Sequence, residues 1–134
     1  MIIDSSVWID FFRGKASVAT ELLDQSLAEG LPQHICPPIL QEVLQGIRDE
    51  KVFQQTKETL LSMYLLELNP FFAAEGAAKI YCSIRQKGFT ATPNDCLIAF
   101  YAIHFRIQLV HNDSDFDEIA RHTTLQIFTN RRRN

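Results

Sequence analysis

A chain of 134 residues with 46% hydrophobic and 22% charged side chains has the size and balance of one self-sufficient domain, which excludes disordered and fibrous classes. Cys36, Cys82 and Cys96 form no CxxC pair and sit in apolar stretches where free cysteine behaves as a small hydrophobe, so a disulfide scaffold is excluded and a reducing cytoplasm is expected. The net charge of −3 argues against broad basic-surface binding of nucleic acid, although a carboxylate-rich metal site would itself lower the total.

No apolar run approaches the roughly 20 residues needed to cross a bilayer. The opening Met1-Ile2-Ile3 reads as a strand that Asp4 ends, not as a secretory signal. Short β-branched or apolar runs then alternate with longer helical patterns, the sign of a parallel sheet flanked by helices. Strands are expected at Met1–Asp4, His34–Cys36, Leu65–Leu68, Ile107–His111 and Leu125–Phe128. Ser5 and Ser6 are placed to cap a helix or hold a metal-bound water. Val18, Leu22, Leu23 and Leu27 mark an amphipathic helix that Gly30 would close.

Pro37 and Pro38 suit the first turn of a helix, which has no amide partner to lose. That helix should run from about Ile39 to Asp49, with Ile39, Leu40, Val43, Leu44 and Ile47 toward the core and Glu42 at its margin. Gly46 lies one turn on, leaving space beside the carboxylate. Helices from Lys51 to about Met63 and from Phe71 to Lys87 follow, the second closed by Gly88, with Val52, Phe53, Leu60, Phe71 and Phe72 expected in the core. Thr92-Pro93-Asn94-Asp95 opens the next helix: Thr92 as cap, Pro93 in the first position, Asp95 against the positive helix end. The residues after it, Cys96 to Ile103, are apolar nearly all round, so this helix should run through the interior. An acid opening a buried helix needs a partner. The segment from Val110 to Asp117 places Asp113, Asp115 and Asp117 at alternate positions just after a strand.

Asp4 and Asp113 thus fall just outside the carboxyl ends of strands, where open α/β sheets place ligands, and a parallel sheet would bring the helix residues Glu42 and Asp95 to them. Crowded carboxylates repel, and a hard divalent cation relieves that cost while providing a Lewis acid for phosphate chemistry. A calcium loop is excluded, because its glycine and glutamate positions hold Glu118 and Thr124. There is no GxGxxG or phosphate-binding glycine loop, no HExxH and no GxSxG elbow. The histidines His34, His104, His111 and His122 lack zinc spacing. A haloacid-dehalogenase-type phosphatase would want an aspartate where Ser6 stands.

Four segments in order, MIIDSSVWIDFF, ILQEVLQGI, NDCLIAFYAI and LVHNDSDFDEIA, resemble those of PIN-domain ribonucleases, specifically VapC-type toxins of type II toxin–antitoxin pairs, over nearly the whole chain. The resemblance implies a single PIN-like domain over residues 1–134, an α/β Rossmann-like three-layer sandwich with a mainly parallel sheet of four to five strands. It implies Mg²⁺ or Mn²⁺ gathered by Asp4, Glu42, Asp95 and Asp113, with Asp4, Asp95 and Asp113 as metal ligands and Ser6 and Asp115 as auxiliaries. It further implies an RNA substrate, a cognate antitoxin and a homodimer. Where the family often has threonine or serine two residues before the last acid, this chain has His111. Arg13, Lys15, Arg48 and Arg131-Arg132-Arg133 are the candidate phosphate contacts. A non-catalytic binding module, or a PIN nuclease acting in RNA processing, would share these residues.

Overall fold

Ile2 and Ile3, both without solvent exposure, form β1 (Ile2–Ile3) in the interior of a parallel sheet. The computed structural model describes residues 1–129, so Arg131, Arg132 and Arg133 lie outside the described residues. From β1 the chain runs through α1 (Ser5–Phe12) and α2 (Val18–Ala28) to β2 (His34–Ile35), then α3 (Pro37–Gln45) and α4 (Glu50–Leu61) to β3 (Tyr64–Leu65). The return passes through α5 (Pro70–Gln86) and α6 (Pro93–Phe105) to β4 (Leu109–Val110), and α7 (Asp115–His122) follows. The sheet order is β3-β2-β1-β4, with Ile2 opposite both His34 and Leu109, and His34 opposite Tyr64.

Connections from β1 toward β3 run one way across the sheet and the return to β4 runs the other. Right-handed crossovers therefore put α1–α4 on one face and α5–α7 on the other, giving the three layers expected. The order reverses between β1 and β4, so a crevice opens beyond their carboxyl ends. Leu125–Phe128 adds a single parallel bridge, Ile127 to Leu109, with the Leu109 amide donating to Gln126 and the Phe128 amide to Leu109, both at 2.9 Å. The strands are shorter than their sequence runs because Asp4 and Cys36, the residues after β1 and β2, already serve as helix N-caps.

Helix α6 is the apolar centre: Cys96, Ile98 and Ala99 are fully buried, as are nearly Tyr101 and Ala102. Three features differ from expectation. Helix α3 stops at Gly46 and not at Asp49, because the Asp49 carboxylate caps α4 by accepting the Val52 amide at 2.9 Å. Val52, Phe71 and Phe72, expected in the core, are exposed, because they lie on the outward side of the first turns of α4 and α5 while Ala73 in the same turn of α5 faces inward; Phe71 is 86% exposed, while Leu60 is buried and Phe53 half-buried. Cys82 is exposed on α5, whereas Cys36 and Cys96 are buried. Among the described residues no helix is long and apolar enough to cross a membrane.

Gly76 of α5 lies against α6, where an added Cβ would overlap the Phe100 ring. Alanine there gains about 1 kcal/mol of helix propensity but displaces a ring that Phe72 and His104 also touch, at a cost of about 1–3 kcal/mol. Gly76→Ala is expected to lower the melting temperature by roughly 2–5 °C in a thermal scan; a raised midpoint would refute the close approach.

Candidate active site

Asp4 leaves β1 with its amide donating to the Val110 carbonyl at 2.9 Å, which fixes it beside the end of β4. One carboxylate oxygen, Oδ2, accepts the Ser6 amide at 3.0 Å and the Ser6 hydroxyl at 2.6 Å, capping α1. The other, Oδ1, is buried without a partner. Asp4 is therefore both a helix cap and a free acceptor. The Ser6 hydroxyl oxygen in turn accepts the Asn112 amide at 3.1 Å, joining the start of α1 to the loop after β4.

Asp95, 6% exposed, sits in the first turn of α6, its amide donating to the Thr92 hydroxyl oxygen at 3.1 Å. Its Oδ2 is buried and unpartnered. Glu42 extends from the half-buried margin of α3, with buried Oε1 also unpartnered, and the Ser5 and Asn94 side chains beside it favour its charged form.

The loop after β4 completes the site. The Asp115 amide donates to Asp113 Oδ1 at 3.0 Å, and ligand oxygens of Asp95, Asp113 and Asp115 lie within 4.8 Å of one another. The sequence expectation made Asp113 a ligand and Asp115 an auxiliary; the structure places both in the tightest group with Asp95. Asp4 lies outside that group, one of its oxygens held by the Ser6 cap, yet its charge acts on Glu42 and Asp95 and feels Asp113. Gly46 opens away from the acids onto a groove lined by Ile9, Phe12, Val43, Val52 and Thr56, with a cavity volume near 370 Å³.

Burial pushes the Asp4 carboxyl above its ordinary range, opposed by the Ser6 hydrogen bonds and reinforced by the Asp113 charge. Burial, then repulsion from Asp4, raises Glu42 as well. Asp95 moves furthest, to about 7, through burial first and the Asp113 charge second, with Asp4 and Glu42 adding to it. Among the described residues no lysine or arginine pairs with these carboxylates. Arg13 lines the apolar groove, and Lys15 and Arg48 are exposed. Buried unpartnered oxygens of three acids, together with a compact oxygen triad, make the donor set that a hard divalent cation takes.

Three contributors escaped the sequence reading. Asn112 donates its amide nitrogen to Asp10 Oδ2 at 3.1 Å and to the Ser17 hydroxyl at 3.2 Å, tying the loop to α1 and to the cap of α2. Asp10 and Ser17 join the set only through it. No periodicity marks such contacts, because they link positions about a hundred residues apart; only the polar Asn112 beside Asp113 hinted at them.

The family model described as PIN domain matches residues 1–122. A VapC ribonuclease of Mycobacterium bovis is 35% identical over 128 residues, covering 94% of this chain and 96% of the relative. In fold, the chain is similar to the DNA-bound VapBC of Salmonella typhimurium, with a TM-score of 0.73 at 19% identity over 95% of each chain. It is also similar to VapBC-5 of Mycobacterium tuberculosis, a member of the VapBC family of toxin-antitoxin systems, with a TM-score of 0.66 at 18% identity over 95% of each chain. With its acids gathered at the β1–β4 crevice and its length matched almost end to end, the chain belongs to the PIN-domain family.

Proposed function

We propose that this protein is a divalent-metal-dependent endoribonuclease and the toxin of a type II toxin–antitoxin pair, acting as one domain over residues 1–134 in a reducing cytoplasm. The observation that carries the chemistry is the convergence of buried, unpartnered oxygens from Asp4, Glu42 and Asp95 on the same crevice as Asp113 and Asp115. The ribonuclease name of a relative and the toxin–antitoxin description of a structural neighbour support the biological role. Free Cys36, Cys82 and Cys96 support the compartment.

Asp95, Asp113 and Asp115, with Asp4 Oδ1 from across the crevice, would hold Mg²⁺ or Mn²⁺. When bound, the ion supplies Lewis-acid charge that offsets the phosphate and acidifies a coordinated water. The protein groups do the rest. Glu42, which presents an unpartnered Oε1 from the margin of α3 and is not needed to complete the oxygen triad, would take the attacking water's proton. Ser6 holds Asp4 in one rotamer so that its free oxygen keeps its aim. Single-stranded or looped RNA fits an open crevice, because its backbone is accessible there.

The apolar groove between α1, α3 and α4 is where an antitoxin segment would dock, with Phe12 at 44% and Val52 at 46% exposure as its apolar contacts. The exposed Phe71 and Phe72 offer apolar surface that a homodimer would cover.

Asp95→Asn is expected to reduce cleavage of single-stranded RNA by at least about 10²-fold with an unchanged circular dichroism spectrum; new RNA ends at wild-type rate, or ends that persist in EDTA, would sink the assignment. The pH dependence follows from the raised Asp95 pKa. Because the folded carboxyl titrates near 7 and the unfolded one near its ordinary 3.8, the native state binds the extra proton between these values. Metal-free stability therefore falls as pH rises through that window. Cation and proton compete for the same oxygen, so Mn²⁺ affinity should drop by about tenfold per pH unit below about 7 and level off above it. Calorimetric titration from pH 5.5 to 8 measures this, and Asp95→Asn should flatten the slope. Finally, Val52→Asp should weaken recovery of a co-expressed antitoxin by more than about tenfold, since a charge is then buried in an apolar contact; undiminished co-purification would move the partner elsewhere.

A further inference from the structure

We propose that His111 is a positioning residue: its imidazole, held as the Nε2–H tautomer between the Asp113 backbone amide and the Asp117 carboxylate, shapes the turn that aims Asp113 and Asp115 into the crevice. The inference rests on the metal-dependent reading above and deepens it.

The tautomer follows from the partners. The Asp113 amide donates to Nδ1 at 3.1 Å, so Nδ1 carries a lone pair. Nε2 lies 3.0 Å from Asp117 Oδ1, and a carboxylate only accepts, so the ring proton sits on Nε2. The ring packs against Phe116, whose centroid is 5.4 Å away and whose side chain is fully buried. With a side chain only 9% exposed, His111 has little freedom to turn.

This arrangement feeds directly into the ligand geometry. An acceptor on residue 111 that takes the amide of residue 113 closes a local side-chain turn, the job a serine or threonine hydroxyl performs with a shorter reach. The turned backbone then lets Asp113 Oδ1 accept the Asp115 amide at 3.0 Å, which leaves Asp113 Oδ2 and the Asp115 carboxylate available to the ion. The Nε2–H bond to Asp117 adds what a hydroxyl lacks: it anchors the turn to the first turn of α7, two residues beyond Asp115. Asn112 ties the opposite side of the same loop to α1 and α2. His111 thus stiffens the α7 side.

Three substitutions separate positioning from packing. His111→Phe preserves the contact with Phe116 and loses both hydrogen bonds. His111→Gln places its polar end near Nε2 and loses the acceptor for Asp113. His111→Asn places an oxygen where Nδ1 stands and restores that acceptor. Supporting outers of a metal site typically contribute about 10–100-fold in affinity. Mn²⁺ dissociation constants measured by calorimetry, with circular dichroism and metal-free melting temperature as controls, should therefore rise about 10–100-fold in His111→Phe and His111→Gln and return to within about threefold of wild type in His111→Asn. Long-range ¹H–¹⁵N spectra of the wild type should show the ring proton on Nε2. Mn²⁺ binding by folded His111→Phe or His111→Gln as tight as wild type, or a proton on Nδ1, overturns the proposal while leaving the nuclease reading intact. A wild-type protein that binds no Mn²⁺ overturns both.

Discussion

Repulsion among carboxylates withdrawn from water is the constraint around which the rest of this structure is arranged. Asp4 and Asp95 are almost fully buried, Glu42 is half-buried, and each is pushed toward its protonated form by burial and by its acidic neighbours. Left alone, such a cluster would cost stability, because desolvated like charges gain nothing from one another. Under the proposed function, a divalent cation that binds the native state alone would return stability through linkage.

Among the described residues, the repulsion is opposed without lysine or arginine paired to the acids. Asp4 caps α1, Asp95 lies in the first turn of α6, and Asp115 begins α7, so three helix N-termini present their positive ends to the same crevice. Neutral donors do the fine positioning: the Ser6 hydroxyl and amide on Asp4, the Asn112 amide on Ser6, and the Asp115 amide on Asp113. Lysine or arginine in these places would bring charge that competes with the proposed ion. Dipoles and amides orient the acids while leaving the largest charge deficit for the ligand.

Much of this was legible in order along the chain. The parallel α/β pattern, the interior helix after Asp95, the Thr92 and Pro93 start, and the glycine stops at Gly30 and Gly88 are local matters of periodicity and capping, and the structure has each of them. Strand length and helix ends were less legible, because they depend on which cap wins. Asp49 captured the Val52 amide and ended α3 early, and Asp4 turned β1 into a helix after two residues. The exposure of Val52, Phe71 and Phe72 has a related reason: apolar character says that a side chain gains by being covered, not that this chain alone covers it.

The acids themselves, their order, and their attachment to strand ends and helix starts were determined by sequence, since parallel strands joined by right-handed helical crossovers must bring those ends to one edge. What only the tertiary structure decided is the grouping within the set. Asp115 lies with Asp95 and Asp113 in a loop where the Asp115 amide donates to Asp113 Oδ1 and the Asp113 amide donates to His111 Nδ1. Asp4 kept one oxygen for its helix and one for the crevice. Such choices depend on hydrogen-bond directions over a few ångströms between segments far apart in the chain, and neither composition nor periodicity encodes direction at that scale.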